Sequence, residues 1–113
     1  MGKFDLEKSR AYELQAAMLS VLANPKRLMI LDLLGEGAKT VTEIAESLDL
    51  TLQNASQHLR LMKEQSIVRA HREGQTVTYS LTTPVFKECC ETVRQAMAAE
   101  TLKKGKDLSR TRK

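Results

Sequence analysis

Between Thr40 and Leu81 the hydrophobic period changes twice, and no other stretch restricts the fold as tightly. A short helical pattern, TVTEIAESL, runs into a break at Asp49-Leu50-Thr51, and a second helical pattern, LQNASQHLRLMKEQ, follows. The next segment, IVRAHREGQTVTYSL, alternates as strands do on either side of a glycine. Thr40 and Glu43 stand at capping-box spacing and Thr51 is placed to cap the second helix, so the break is a defined turn. In the second helix Leu52, Ala55, Leu59 and Met62 fall on one face and predict a buried stripe. Gln53, Asn54, Ser56, Gln57, Arg60 and Lys63 are left pointing outward. In the hairpin, Val77, Tyr79 and Leu81 share one face and Thr76, Thr78 and Ser80 the other, around a turn at Arg72-Glu73-Gly74-Gln75.

The outward residues are chiefly amides and hydroxyls, where a merely solvated helix usually carries Glu/Lys pairs. That choice suits a helix laid in a DNA major groove. Gln and Asn pair with adenine edges, and Ser, Arg and Lys reach bases or phosphates. The candidate DNA contacts are therefore Thr51, Gln53, Asn54, Ser56, Gln57, Arg60 and Lys63, with Arg69, His71, Arg72 and Gln75 carried by the hairpin toward the phosphate backbone. The alternative is a helix and hairpin that dock another protein; apolar or acidic clusters on the outer face would favour it.

The remaining segments read as scaffold. Leu6 to Leu22 forms a first helix whose Leu14, Met18 and Val21 share a face. Asn24-Pro25 caps and opens a second, so densely apolar from Arg27 to Leu34 that it must be central, with Gly35 and Gly37 ending it. Thr83-Pro84 repeats the cap-then-proline signal and opens a last helix to about Leu102. Its apolar stripe is Phe86, Cys90, Val93 and Met97. Nothing after it in the sequence can cover that stripe, which predicts a two-fold interface built from the first and last helices of two chains.

At 113 residues the chain makes one domain, expected at 1–102. Net charge is +4, yet residues 1–100 hold twelve Lys/Arg against thirteen Asp/Glu and residues 101–113 hold six against one, so the excess sits in the tail. Residues 103–113 read as a disordered basic extension, either solubilising or touching DNA phosphates. No apolar run approaches membrane-spanning length and MGKFDLEKSR lacks the apolar core of a signal peptide, so a cytoplasmic location without membrane partners is expected. No nucleophile with a base, paired carboxylates or phosphate-cradling loop can be assembled, so the chain is not read as an enzyme, and no cofactor is implied. Cys89 and Cys90 are adjacent and point about 100° apart on a helix, which does not suit one metal ion. They either pack in the interface or serve as a redox or thiophilic-metal sensor across the two-fold axis.

With these residues in place, ANPKRLMILDLL, TEIAESL and QNASQHLRLMKEQSIVRAHREGQTVTYSL, followed by a long helix, resemble the ArsR/SmtB family of winged-helix repressors over residues 14–97. The resemblance implies a mostly α fold with five helices and a two-stranded wing, and a homodimer that binds a palindromic operator until an effector releases it. By position it makes Gln53, Asn54, Ser56, Gln57 and His58 operator contacts. The family's metal ligands do not carry over. There is no Cys-x-Cys element near Val41-Thr42-Glu43, and the last helix has no His or Asp before Lys104. The effector is left unnamed.

Overall fold

A computed structural model describes residues 3–104. The chain divides into two compact units, Met1–Thr83 and Pro84–Lys113.

In the first unit α1 (Leu6–Leu22) begins at Asp5, whose carboxylate accepts from the Lys8 amide at 2.9 Å. α2 (Pro25–Leu34) begins at Asn24, whose Oδ1 accepts from the Arg27 amide at 3.1 Å, with Pro25 at the first helical position where its missing N–H costs nothing. At the far end of α2, Gly35 remains right-handed; Gly37, at φ +144°, takes up the conformation that requires glycine. β1 (Lys39–Thr40) leads directly into α3 (Val41–Leu48), which is followed by α4 (Leu52–Glu64) and by the strands β2 (Val68–Glu73) and β3 (Thr76–Leu81).

The expected capping box is present in both halves. Thr40 Oγ1 accepts from the Glu43 amide at 3.1 Å, and Glu43 Oε1 accepts from the Thr40 amide at 2.8 Å. α3 ends on Asp49 in the left-handed region, with the Leu50 N–H returning to the Ala45 carbonyl. α4 ends in the same way. Ser66, at φ +59°, lets its own N–H reach the Lys63 carbonyl and that of Ile67 reach Met62, the paired bonds of a Schellman stop.

The wing differs from expectation in one respect. It is a three-stranded antiparallel sheet in the order β1-β3-β2, because Lys39 and Thr40 pair with Tyr79 and Thr78. β1 is two residues long, too short to show any alternation in sequence. The hairpin proper runs from Val68 opposite Leu81 to Glu73 opposite Thr76, closed by Gly74 at φ +62° and Gln75. Thr82 clamps its base by donating from Oγ1 to the Ser66 carbonyl at 2.7 Å.

Ile30, Leu31, Ile44, Leu59, Met62, Ile67 and Val68 are the largest fully buried side chains, and Leu22, Leu34, Ala45 and Ala55 complete the buried apolar set. The stripe expected on α4 is thus buried at Ala55, Leu59 and Met62. Leu52 is not; it is 54% exposed, because the first turn of α4 projects beyond the core.

The second unit is α5 (Val85–Lys103). Pro84 itself occupies the cap position and its ring offers no oxygen to cap with, so the helix starts one residue later than the Thr83-Pro84 signal suggests. It runs one residue past Leu102 and, at 1.5 Å per residue, is about 28 Å long. None of its residues is buried: Phe86 and Cys90 are half-buried, and Val93 and Met97 are more than half exposed. The basic stretch from Gly105 onward lies outside the described residues.

Replacing Leu59 with Ala leaves a cavity in the core and should cost about 2–5 kcal/mol in urea unfolding, whereas Leu52→Ala should cost about 0.5 kcal/mol or less. A loss above roughly 2 kcal/mol for Leu52→Ala would return that residue to the core.

Candidate nucleic-acid interface

α4 is held by α3 and by the turn between them, and its opening is fixed by Thr51, whose Oγ1 accepts from the Asn54 amide at 3.0 Å. That bond satisfies one of the free amides of the first turn. The others stay available at the positive end of the helix dipole, a setting that favours phosphate. Gln53, Asn54, Ser56, Gln57, Arg60 and Lys63 are all exposed. From Leu50 to Lys63 there is no carboxylate. The first one, Glu64, accepts from Arg60 Nη1 at 3.0 Å; with both side chains more than half exposed this pair contributes little to stability, and the guanidinium can exchange it for phosphate.

The hairpin separates its cations. The register puts Arg69 and His71 on the face that carries Ser80, Thr78 and Thr76, whereas Arg72 lies opposite Val77 on the face of Val68, Ala70 and Tyr79. All three are exposed, Arg72 close to the tip beside Gln75. Arg69 and His71 therefore share one face of the hairpin, and Arg72 lies on the other, near the turn that holds Gln75.

His58 is placed differently from its neighbours. It is half-buried and its Nδ1 accepts from Arg27 Nε at 3.1 Å. The same guanidinium donates from Nη1 to the Val21 carbonyl in the last turn of α1 at 2.9 Å, and the adjacent Lys26 Nζ donates to the Leu48 carbonyl at the end of α3 at 3.2 Å. Desolvation lowers the pKa of His58 below its ordinary value of 6.5, and the Arg27 and Lys26 charges push in the same direction. Arg27 was not among the candidate residues from sequence. The available signal was a cation at the start of a densely apolar helix, where the dipole disfavours it and an acceptor has to be found.

Cys89 and Cys90 lie on α5, Cys89 exposed and Cys90 half-buried. Burial pushes the Cys90 thiol up and Cys89 adds to the shift, partly offset by Arg94, so Cys89 is the more accessible of the two to thiol reagents. Among the described residues no three His, Cys, Asp or Glu side chains converge as a metal site would require, and no helix is long and apolar enough to cross a membrane.

A reading helix set by a short turn on α3, with a β-hairpin beside it, defines a winged helix-turn-helix DNA-binding protein. Residues 22–71 match the family described as a helix-turn-helix domain. Over 94 residues the chain is 33% identical to the HTH-type transcriptional regulator Rv0081 of Mycobacterium tuberculosis, covering 82% of each; the crystal structure of Rv0081 superposes with a TM-score of 0.76 at 30% identity, over 83% of this chain and 95% of that one. The nodulation protein NolR of Rhizobium meliloti is 40% identical over 74 residues, 66% of this chain and 61% of NolR. The homodimeric winged helix-turn-helix DNA-binding domain of Mb0332 from Mycobacterium bovis gives a TM-score of 0.73 at 31% identity, over 90% and 94% of the two chains. The chain belongs to the ArsR/SmtB family of transcriptional regulators.

The lowered pKa of His58 has a consequence for folding. The folded protein takes up this proton less readily than the unfolded chain, so the stability involved is whole above pH 6.5 and is lost as pH falls below it. Thermal unfolding of His58→Asn, which does not titrate, should show a smaller decline across that window than the parent. Parallel declines would mean that other groups account for it.

Proposed function

We propose that the chain is a homodimeric, sequence-specific DNA-binding repressor, in which residues 1–102 read the operator and dimerise and the basic residues 103–113 add phosphate contacts. The observation that carries this reading is the outer face of α4, where Gln53, Asn54, Ser56 and Gln57 are exposed together in the first turns, with no carboxylate among them. Such a face matches base edges, and Arg60, Lys63, Arg69, His71 and Arg72 supply charge for the flanking phosphates. A protein-docking role would need an apolar or acidic cluster there, and Leu52 is the only exposed large apolar side chain on the helix.

Two copies are needed for a palindromic site, and both terminal helices leave large apolar side chains exposed. On α1, Leu6, Tyr12, Leu14 and Leu19 are exposed; on α5, Val85, Val93, Met97 and Leu102 are. Joining these helices across a two-fold axis buries both and sets the spacing of the two reading helices. A dimer seated over a promoter excludes polymerase without any further surface, which is why repression is preferred. Such a regulator works where its operator is, in the cytoplasm. Release by an effector follows the pattern of the family, and the Cys89–Cys90 pair is the candidate sensor, through its more exposed Cys89.

Gln53→Ala or Gln57→Ala should weaken binding to the preferred duplex by about 1–3 kcal/mol and binding to random DNA much less. Equal losses on both would remove base reading from α4. Replacing Val93 and Met97 with Glu together should yield a monomer in sedimentation velocity; an unchanged dimer would exclude α5 from the interface.

A further inference from the structure

We propose that Arg27 is a positioning residue for DNA reading, tying the end of α1 to the middle of α4 through His58, and that it does so only while the imidazole is neutral. The inference rests on α4 being the recognition helix.

Three elements meet on this one side chain. The Arg27 amide is fixed by Asn24, its Nη1 donates to the Val21 carbonyl, which α1 leaves open in its last turn, and its Nε donates to His58 Nδ1. A guanidinium has donors and no acceptor and keeps its proton, so Nδ1 has to accept, and the ring proton resides on Nε2. His58 is one position from Gln57 and one turn from Asn54, and it lies between the buried Ala55 and Met62. Any shift of the imidazole therefore moves the base-reading amides with it.

Protonation at Nδ1 replaces the acceptor with a donor and sets one cation against another. The charges acting on the ring are Arg27 and Lys26, both from α2, and no carboxylate of α1, α3, α4 or β2 offsets them. Lys26 is itself held by the Leu48 carbonyl and cannot readily turn away. The pair then separates, and α4 loses its polar anchor to the helix that carries part of the dimer interface. With spacing between reading helices fixed by that interface, a loosened α4 costs operator preference before it costs general affinity for DNA.

The test uses the full chain carrying His71→Gln, which leaves His58 as the one histidine of the sequence. A preferred duplex is selected from a random library, and its affinity relative to a scrambled duplex is measured at constant ionic strength from about pH 7.5 to about pH 5.5. The ratio should fall as pH drops through this range, toward about tenfold once the imidazole is protonated, the size of effect expected for losing a hydrogen bond to a charged group. His58→Asn keeps an oxygen acceptor at the place of Nδ1 and should hold the ratio flat. Arg27→Gln should lower it at both ends and remove the pH dependence. The proposal is overturned if His58→Asn follows the parent, or if Arg27→Gln retains the parent's ratio and profile. Should Arg27→Gln fail to fold, the His58→Asn profile decides alone. A parent without preference at either pH removes the recognition-helix reading and this inference together, an outcome the Gln53 variants would repeat.

Discussion

The first unit depends on a core without aromatic rings. Its largest fully buried side chains are Ile, Leu, Met and Val, drawn from α2, α3, α4 and the entry to β2. A core of this kind is thin, and it closes only if each helix presents a narrow stripe at a fixed rotation. Caps set those rotations: Asn24 for α2, Thr40 with Glu43 for α3, Thr51 for α4. Local hydrogen bonding and aliphatic burial thus reinforce each other, and the polar face of α4 is the face the core has no use for.

Polar chemistry inside this unit is concentrated at the N-terminal turn of α2. Lys26 and Arg27 reach carbonyls at the ends of α3 and α1, where helices leave oxygens without partners, and Arg27 also reaches His58. Aliphatic contacts carry no directional preference of their own, whereas a guanidinium donating to two acceptors fixes an angle as well as a distance. The apolar contacts give α4 its adhesion and the Arg27 contacts give it an orientation.

Much of this was legible in the sequence because it is local. Leu6–Leu22, the break at 49–51, both capping threonines and the hairpin follow from period and capping chemistry, and the resemblance supplied the fold that joins them. What the sequence did not disclose is relational. β1 exists only because Lys39 and Thr40 lie alongside Tyr79 and Thr78. Leu52 has the spacing of a core residue but sits where the helix has left the core. The expected cap of the last helix moved by one residue because Pro84 takes the cap position. His58, which the resemblance grouped with the outward amides, turns toward Arg27, thirty-one positions away in sequence.

Thr40 belongs to two devices at once. Its backbone pairs in the wing sheet and its hydroxyl starts α3, the helix on which the turn to α4 is built. The wing and the helix-turn-helix are consequently joined through one residue, and their relative placement is held before any duplex arrives. Association then carries little of the entropic cost of assembling two separate probes. The same rigidity makes the pair a gauge of duplex shape, favouring DNA whose groove and adjacent backbone already lie at the separation the protein holds.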